Sequence, residues 1–575
     1  MEKVNNAALI TPGQILGTIT VRNEAILNTD SLAVSGGQLN QGDLTSTVNV
    51  TGNAAFTGGA DVMSGGAFNT GTLTVAGGNI NASNGSLRSR GATDLSSGSI
   101  TIRDFATLST ATLTVAGGLV DDQGGTLTSS GATFLSSGSI AVSGSATLNT
   151  DSLAVSGGGL TQANASTVNV TGNAAFTGGT NGVFGGTFNA GTLAVGDGSN
   201  AQSLALEKGT ITVGDLTTIN KAASIDLTGG SLTATSGISD LGSLSGFGTV
   251  DGGAISGNGT IQATGGTLDI GDTILSGPTL SIDVDSTLTL GGTVTSADAI
   301  KLGNPSRTLE IGSAGALTIS QAQTIGSSTV KLDGGSLIDA SGIAITGAAT
   351  IVGSGTIQAD LADPGGLGFV RASGGQLAID GNLSGNLTAS IDNASTLSLG
   401  GTVGAGQSVD YGSNQSAELE LNAGALTSFE TNGTISRMSV GTGITPTDVL
   451  DLTSVNSGTI ASAGLGNGGK QIELFDSGDT MVASFNLDAP VTGFVHWTAD
   501  EGSGTDVFLS DTPVCFAAGT RILTTTGERG VETLTQGDIV VTMSERAAGQ
   551  VARPSADRPY GASEAGDGGA HSYPA

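Results

Sequence analysis

One cysteine, Cys515, and two histidines, His496 and His571, are all that 575 residues contain of those two residue types. A single thiol excludes an intrachain disulfide framework and a cysteine zinc cluster, and two imidazoles leave little for metal binding or proton transfer. No metal or cofactor is expected. Aromatic residues are 3% of the chain, with one Trp and three Tyr, so stacking platforms for sugars are scarce. Lys and Arg total 18 against 49 Asp and Glu, which gives a formal charge of -31. Nucleic acid is therefore excluded as a partner, because phosphate binding needs a basic footprint. Charged residues are still only 12%, so the exterior is a Ser/Thr/Asn/Gly surface that favours solubility outside the cell. No run approaches the roughly eighteen apolar residues of a membrane helix. The start, Met1 to Pro12, has too short an apolar core for an ordinary signal peptide, and it reads as the interior of a longer precursor.

What is abundant is glycine, 97 residues, and it is periodic. The pattern Leu-x-Val begins at Leu32, Leu73, Leu113, Leu153 and Leu193, in steps of 41, 40, 40 and 40. Five residues upstream stands a second apolar column: Leu27, Phe68, Leu108, Leu148 and Phe188. The residue after it, Asn28, Asn69, Ser109, Asn149 or Asn189, is small and polar and reads as a corner between two strands. Leu-x-Val alternation sends two side chains to one face, and the Gly-Gly that often follows supplies a turn. One coil cannot cover its own apolar face, so the repeat makes sense only as a stack with about 4.8 Å between layers.

The fold expected is all-β: a single elongated parallel β-helix, or β-solenoid, with two coils of about 20 residues in each 40-residue unit. Val48 to Gly59 reappears unchanged at Val168 to Gly179, which fits a modular array better than a catalytic cleft. Residues 1–24 read as a lead-in, 25–229 as the 40-residue array, and 230–430 as a solenoid punctuated by Gly-x-Gly-Thr-Ile, as at Gly257 to Ile261 and Gly353 to Ile357. A segment related to Thr260–Ile270 carries 13 further residues around Asp363 to Gly366, expected as a surface loop. Residues 431–512 read as an irregular β end segment, 513–543 as a distinct β segment and 544–575 as a disordered tail. About 24 coils would make a rod on the order of 110 Å long.

One motif is specific. Pro513-Val514-Cys515-Phe516-Ala517-Ala518-Gly519-Thr520-Arg521-Ile522 is followed by Val531-Glu532-Thr533-Leu534 and Gly537-Asp538. This resembles the opening block of the Hedgehog/intein, or Hint, family of self-processing domains. The resemblance covers about 30 residues and implies that the Cys515 thiol attacks the Val514 carbonyl and converts that peptide bond to a thioester. Gly519, Thr520, Ile522, Glu532, Leu534, Gly537 and Asp538 carry the rest of the motif. The family also supplies a Thr-x-x-His block whose histidine assists cleavage. Here the residue three before His571 is Gly568, and the stretch from Ser544 looks like a truncated or frame-shifted end. Impaired cleavage is expected.

Three functions remain to be weighed. The solenoid with a Hint opening resembles repeat-rich bacterial surface or secreted proteins, of adhesin or autotransporter-passenger type. That resemblance implies a secreted or cell-surface stalk binding a protein or glycan ligand, of unknown oligomeric state. The second is active self-processing at Val514-Cys515. The third is a polysaccharide-acting β-helix enzyme using Asp283 and Asp285, two residues apart and so on one face of a strand, against which stands an ordinary solvated strand face. His496 beside Trp497 reads as a packed β residue, and Gly58-Gly59-Ala60-Asp61 has the wrong spacing for a calcium nonapeptide.

Overall fold

The computed structural model describes residues 2–4, 8–9, 14–15, 17–412, 416–500, 502–513, 520–535, 538–540 and 549–550. The chain divides into two compact units, Met1–Asp511 and Thr512–Ala575. In the first unit, one turn of chain makes three short strands, Ile26–Thr29, Leu32–Val34 and Gln38–Gln41. The next strand, Thr47–Val50, then lies parallel and in register on Ile26–Thr29. Repetition of this path builds a three-faced parallel β-solenoid of about 20 turns, the all-β fold that the periodicity implies.

The core is a set of side-chain files. On the first face Leu27, Val48, Phe68, Leu87, Leu108, Leu127, Leu148, Val168, Phe188, Ile211, Leu232 and Val250 stand on one another in unbroken register. Each is completely or almost completely buried. Burying one such side chain is worth about 1.5–3 kcal/mol, and stacking like on like repeats that gain at every turn. On the second face Leu73, Leu113 and Leu153 share one inward file, with Thr93 and Thr133 between them. The period of 40 is therefore two turns, a Leu-x-Val turn alternating with a Thr-x-Leu turn.

The corners show why small residues are so frequent. After the first face, the hydroxyls of Thr70, Thr110 and Thr150 turn inward, each within reach of two corner carbonyls. Thr110 Oγ1 lies 2.9 Å from the Gly91 oxygen and 2.8 Å from that of Thr112. Ser89 and Ser129 do the same on the alternate turns, so corner carbonyls gain a further donor inside the wall, Gly91 O beside the Ala111 N–H it already accepts. After the second face, Gly98, Gly118, Gly138 and Gly158 all adopt positive φ, between 74° and 85°. A Cβ on any of them would collide with the carbonyl oxygen of the glycine one turn below, so only glycine fits this column.

Three expectations are corrected. Asn28 and its equivalents do not form a corner: Asn28 lies inside the strand Ile26–Thr29 and faces outward. These asparagines build ladders, with the Asn49 amide donating to Asn28 (2.8 Å) and that of Asn69 to Asn49 (3.0 Å). Asn189 and Asn169 repeat the pattern down to Asn149. The 13 residues around Asp363 do not bulge as a loop. Leu361 is fully buried and pairs with Ile343 below and Leu383 above, so most of the segment is coil wall. What remains is a tight turn pinned by the buried Asp363 carboxylate, which accepts N–H groups from Gly365, Gly366 and Gly368. The count of 24 coils is too high because parallel stacking stops before residue 511.

It stops through a helix and two antiparallel elements. Ala423–Asn432 is α-helical and takes the place of a third-face strand, burying Ala425 and Phe429. Its Ser428 hydroxyl accepts the Val403 N–H, and its Asn432 amide donates to the Val403 carbonyl, so the strand edge beneath is satisfied by side chains. Ser462–Gly466, Gln471–Phe475 and Met481–Asn486 form an antiparallel sheet. The hairpin Phe494–Ala499 and Thr505–Ser510 pairs antiparallel with Val449–Leu452, closing the second face. Among the described residues, no helix is long and apolar enough to cross a membrane.

Candidate functional site

The described residues of the second unit form a small antiparallel sheet. Arg521–Thr524 pairs with Gly527–Gly530 around a tight turn, and Thr524 meets Val540 on its other side. Thr520 leads into this hairpin, and its carbonyl accepts the Val531 N–H at 2.8 Å. Val531–Thr533 is a single helical turn closed by the Leu534 N–H bonding to Val531, which places Glu532 in that turn. Ile522 lies half-buried in the first strand, while Leu523 and Ile539 are exposed. Thr524 is buried and its hydroxyl donates to the Gly527 carbonyl at 2.7 Å.

Asp538 organises the loop between these elements. Its carboxylate accepts the Thr535 N–H at 2.7 Å and lies 3.1 Å from the Thr535 hydroxyl, while the Asp538 N–H donates back to the Thr535 carbonyl. Arg529 Nη1 donates to both carboxylate oxygens, at 3.1 and 3.2 Å, and Nη2 donates to the Thr533 carbonyl. The Thr535 amide first, then its hydroxyl and the Arg529 charge, hold Asp538 below the ordinary carboxylate range against a smaller effect of burial. An acid so engaged stays ionised at neutral pH and acts as a clamp, tying the loop to the hairpin. Sequence reading picked out Asp538 but missed Arg529 as its partner, because the two are nine residues apart and only the hairpin fold joins them. Val514, Cys515, Gly519 and Gly537 lie outside the described residues.

In the solenoid unit, Asp283 and Asp285 do not share a strand face. The strand Thr279–Ile282 ends before them, and Asp285 sits at φ 58° in a tight turn closed by the Ser286 N–H bonding to the Asp283 carbonyl. Asp283 accepts the Gln262 side-chain amide at 3.0 Å. His496 is buried, stacked on Phe508 with ring centroids 5.2 Å apart, and its Nε2 lies 3.0 Å from the Ser510 hydroxyl. Sequence reading also missed a groove of about 420 Å³ lined by Asp339, Gln358, Asp360 and Asp380. Its signal was an Asp recurring about every 20 residues at one corner. Asp339 accepts the N–H groups of Gln323 and Ser341, and Asp360 accepts those of the Asn382 backbone and side chain. These carboxylates are committed to capping turns. Among the described residues, no group of three or more His, Cys, Asp or Glu side chains is placed to hold a metal ion.

A family profile described as the Hint domain matches residues 514–558, so the chain is similar to that domain over a short stretch. No curated protein and no solved structure matches the chain.

Proposed function

We propose that the protein is an adhesin-like structural and interaction module of the cell surface or of a secreted assembly, with the Hint-like segment following the solenoid. The observation that supports this reading most is the unbroken apolar file from Leu27 to Val250 beneath polar outer faces. A wall of that kind spends nearly every residue on lengthening one surface, at about 4.8 Å per turn, and about 20 turns extend for roughly 100 Å. Its net charge of -31 keeps such a surface dispersed and free of nucleic acid. Its partner is a protein or glycan that reads the outer faces. Labelling of intact source cells with a membrane-impermeant amine reagent should modify the protein or recover it from the medium. Recovery only from the cell interior would overturn the reading.

The Hint match, which begins at Val514, favours a second reading, self-processing. In it, Cys515 Sγ adds to the Val514 carbonyl carbon and the bond from that carbon to the Cys515 nitrogen breaks. The nitrogen takes up a proton and becomes a free amine, leaving a thioester for water or an amine to open. Neither His496 nor His571 stands three residues after a threonine, which argues for slow proton delivery to that nitrogen.

A further inference from the structure

The closure of the solenoid carries an unusual row of acids. Glu420, Asp451 and Asp506 are direct neighbours on three adjacent strands: Glu420 registers on Asp451, and Asp451 faces Asp506 across the antiparallel pair that closes the second face. Like charges placed directly opposite one another in a sheet destabilise it. Asp451 is only 8% exposed, and its Oδ1 is enclosed without a hydrogen-bond partner among the described residues. The charged groups that act on it are Asp506 on the closing strand, Asp500 in the hairpin turn, and Glu418 and Glu420 on the strand beneath. All are acidic. Gln376 donates to Glu420, and the Gly502 and Gly504 amides donate to Asp500, but among the described residues nothing equivalent reaches Asp451.

We propose that Asp451 is a proton-operated latch: protonated, it lets the paired strands Phe494–Ala499 and Thr505–Ser510 sit on Val449–Leu452, and loss of the proton loosens them and bares the last strand of the solenoid. Burial first, then Asp506, Asp500, Glu418 and Glu420, push its carboxyl up to about 7. Asp506 and Glu418 are raised in the same direction, so they add to the effect. With the hairpin open, Asp451 returns to the ordinary range near 4. The closed state therefore binds the extra proton between about pH 4 and 7, and the latch is tightest at the acid end and loosest above about 7.

Hydrogen exchange of the Thr505–Ser510 amides in the full chain, corrected for the intrinsic pH dependence of exchange, reads the opening directly. The opening constant should rise about tenfold per pH unit between pH 5 and 7 and level off above. Asp451→Asn should flatten most of that slope while leaving Leu27-face amides unchanged, and Asp506→Asn should move the rise to lower pH. Protection independent of pH in the native chain, or an undiminished slope in Asp451→Asn, would overturn the proposal. So would protection at pH 8 that is restored by calcium ions and lost to a chelator, which would make the row a cation site.

Discussion

Asp61 and Asn181 occupy one position in two copies of the same sequence, and the structure treats them differently. Both stand in the inward file of the third face and both accept an N–H from the turn below, Asp61 from Leu39 at 2.6 Å and Asn181 from Leu160 at 3.0 Å. Asn181 also donates its amide to the Gly178 carbonyl at 2.9 Å, whereas Asp61 Oδ2 is buried without a partner among the described residues. Burial pushes the Asp61 carboxyl up to about 6, against the opposing pull of the Leu39 N–H.

Asp61→Asn should therefore stabilise the solenoid, in a pH-dependent way. The folded-state pKa lies above the unfolded value near 4, so the stability that protonated Asp61 supports is complete below about pH 4 and is lost as pH rises through about 6. The amide cannot ionise and can donate to Gly58 as Asn181 donates to Gly178. The expected gain is up to about 3 kcal/mol at pH 8, shrinking towards zero near pH 4. Thermal melts of both proteins across that range check it, and parallel curves would refute it.

Thr93 and Thr133 make a similar internal comparison. Both are fully buried between leucines of the second face. The Thr133 hydroxyl donates to Thr150 Oγ1 at 3.0 Å, and the Thr93 hydroxyl has no partner among the described residues. Thr93→Val keeps the shape and removes an unsatisfied group, so it should raise stability by about 1 kcal/mol. Thr133→Val should not, and a denaturation series that fails to rank the first variant above the second would contradict the assignment.

The inward files were legible because their signal is carried by many residues at once: Leu27, Phe68, Leu108 and Leu148 keep phase on every second turn. Single polar columns were not. A small polar residue beside an apolar one suits an outward strand position as well as a corner, so Asn28 was placed wrongly, while the true corner residues, Thr70 and Ser89, gave no contrast with other Ser and Thr. Ala423–Asn432 was missed because only Ala425 and Phe429 are buried on it and Gly424 and two threonines weaken its helical signal. The Asp363 turn was misread because a Pro-Gly-Gly stretch marks a turn without revealing how much wall surrounds it. In the second unit the motif from Val514 was legible as a family resemblance, whereas the Arg529 clamp on Asp538 depended on a hairpin that no periodicity announces.

Phe105 is held at φ 66° with 87% of its surface exposed, following Asp104 at φ 51°. An aromatic residue in the left-handed region pays about 1 kcal/mol in backbone strain and here recovers nothing by burial. The equivalent residue two turns on is Ser145, at φ 69°. Phe105→Asn should raise stability by about 1 kcal/mol, because Asn tolerates this conformation. A loss of stability would show that the ring makes a contact worth more than the strain.

Cleavage at Val514-Cys515 tests the remaining chemistry. Formation of a thioester needs the thiol to ionise, which neutral pH supports to a few per cent, and needs a proton for the departing nitrogen. That second need is the harder one here: neither histidine stands three residues after a threonine, the residues there being Gly493 before His496 and Gly568 before His571. The purified chain should stay intact over hours at pH 7 by mass spectrometry. Addition of dithiothreitol or hydroxylamine at pH 8, which open a thioester as soon as it forms, should release at most a small fraction ending at Val514. Cys515→Ala should abolish even that. Substantial cleavage of the native chain without added nucleophile would show that another group delivers the proton and would raise self-processing above the structural reading.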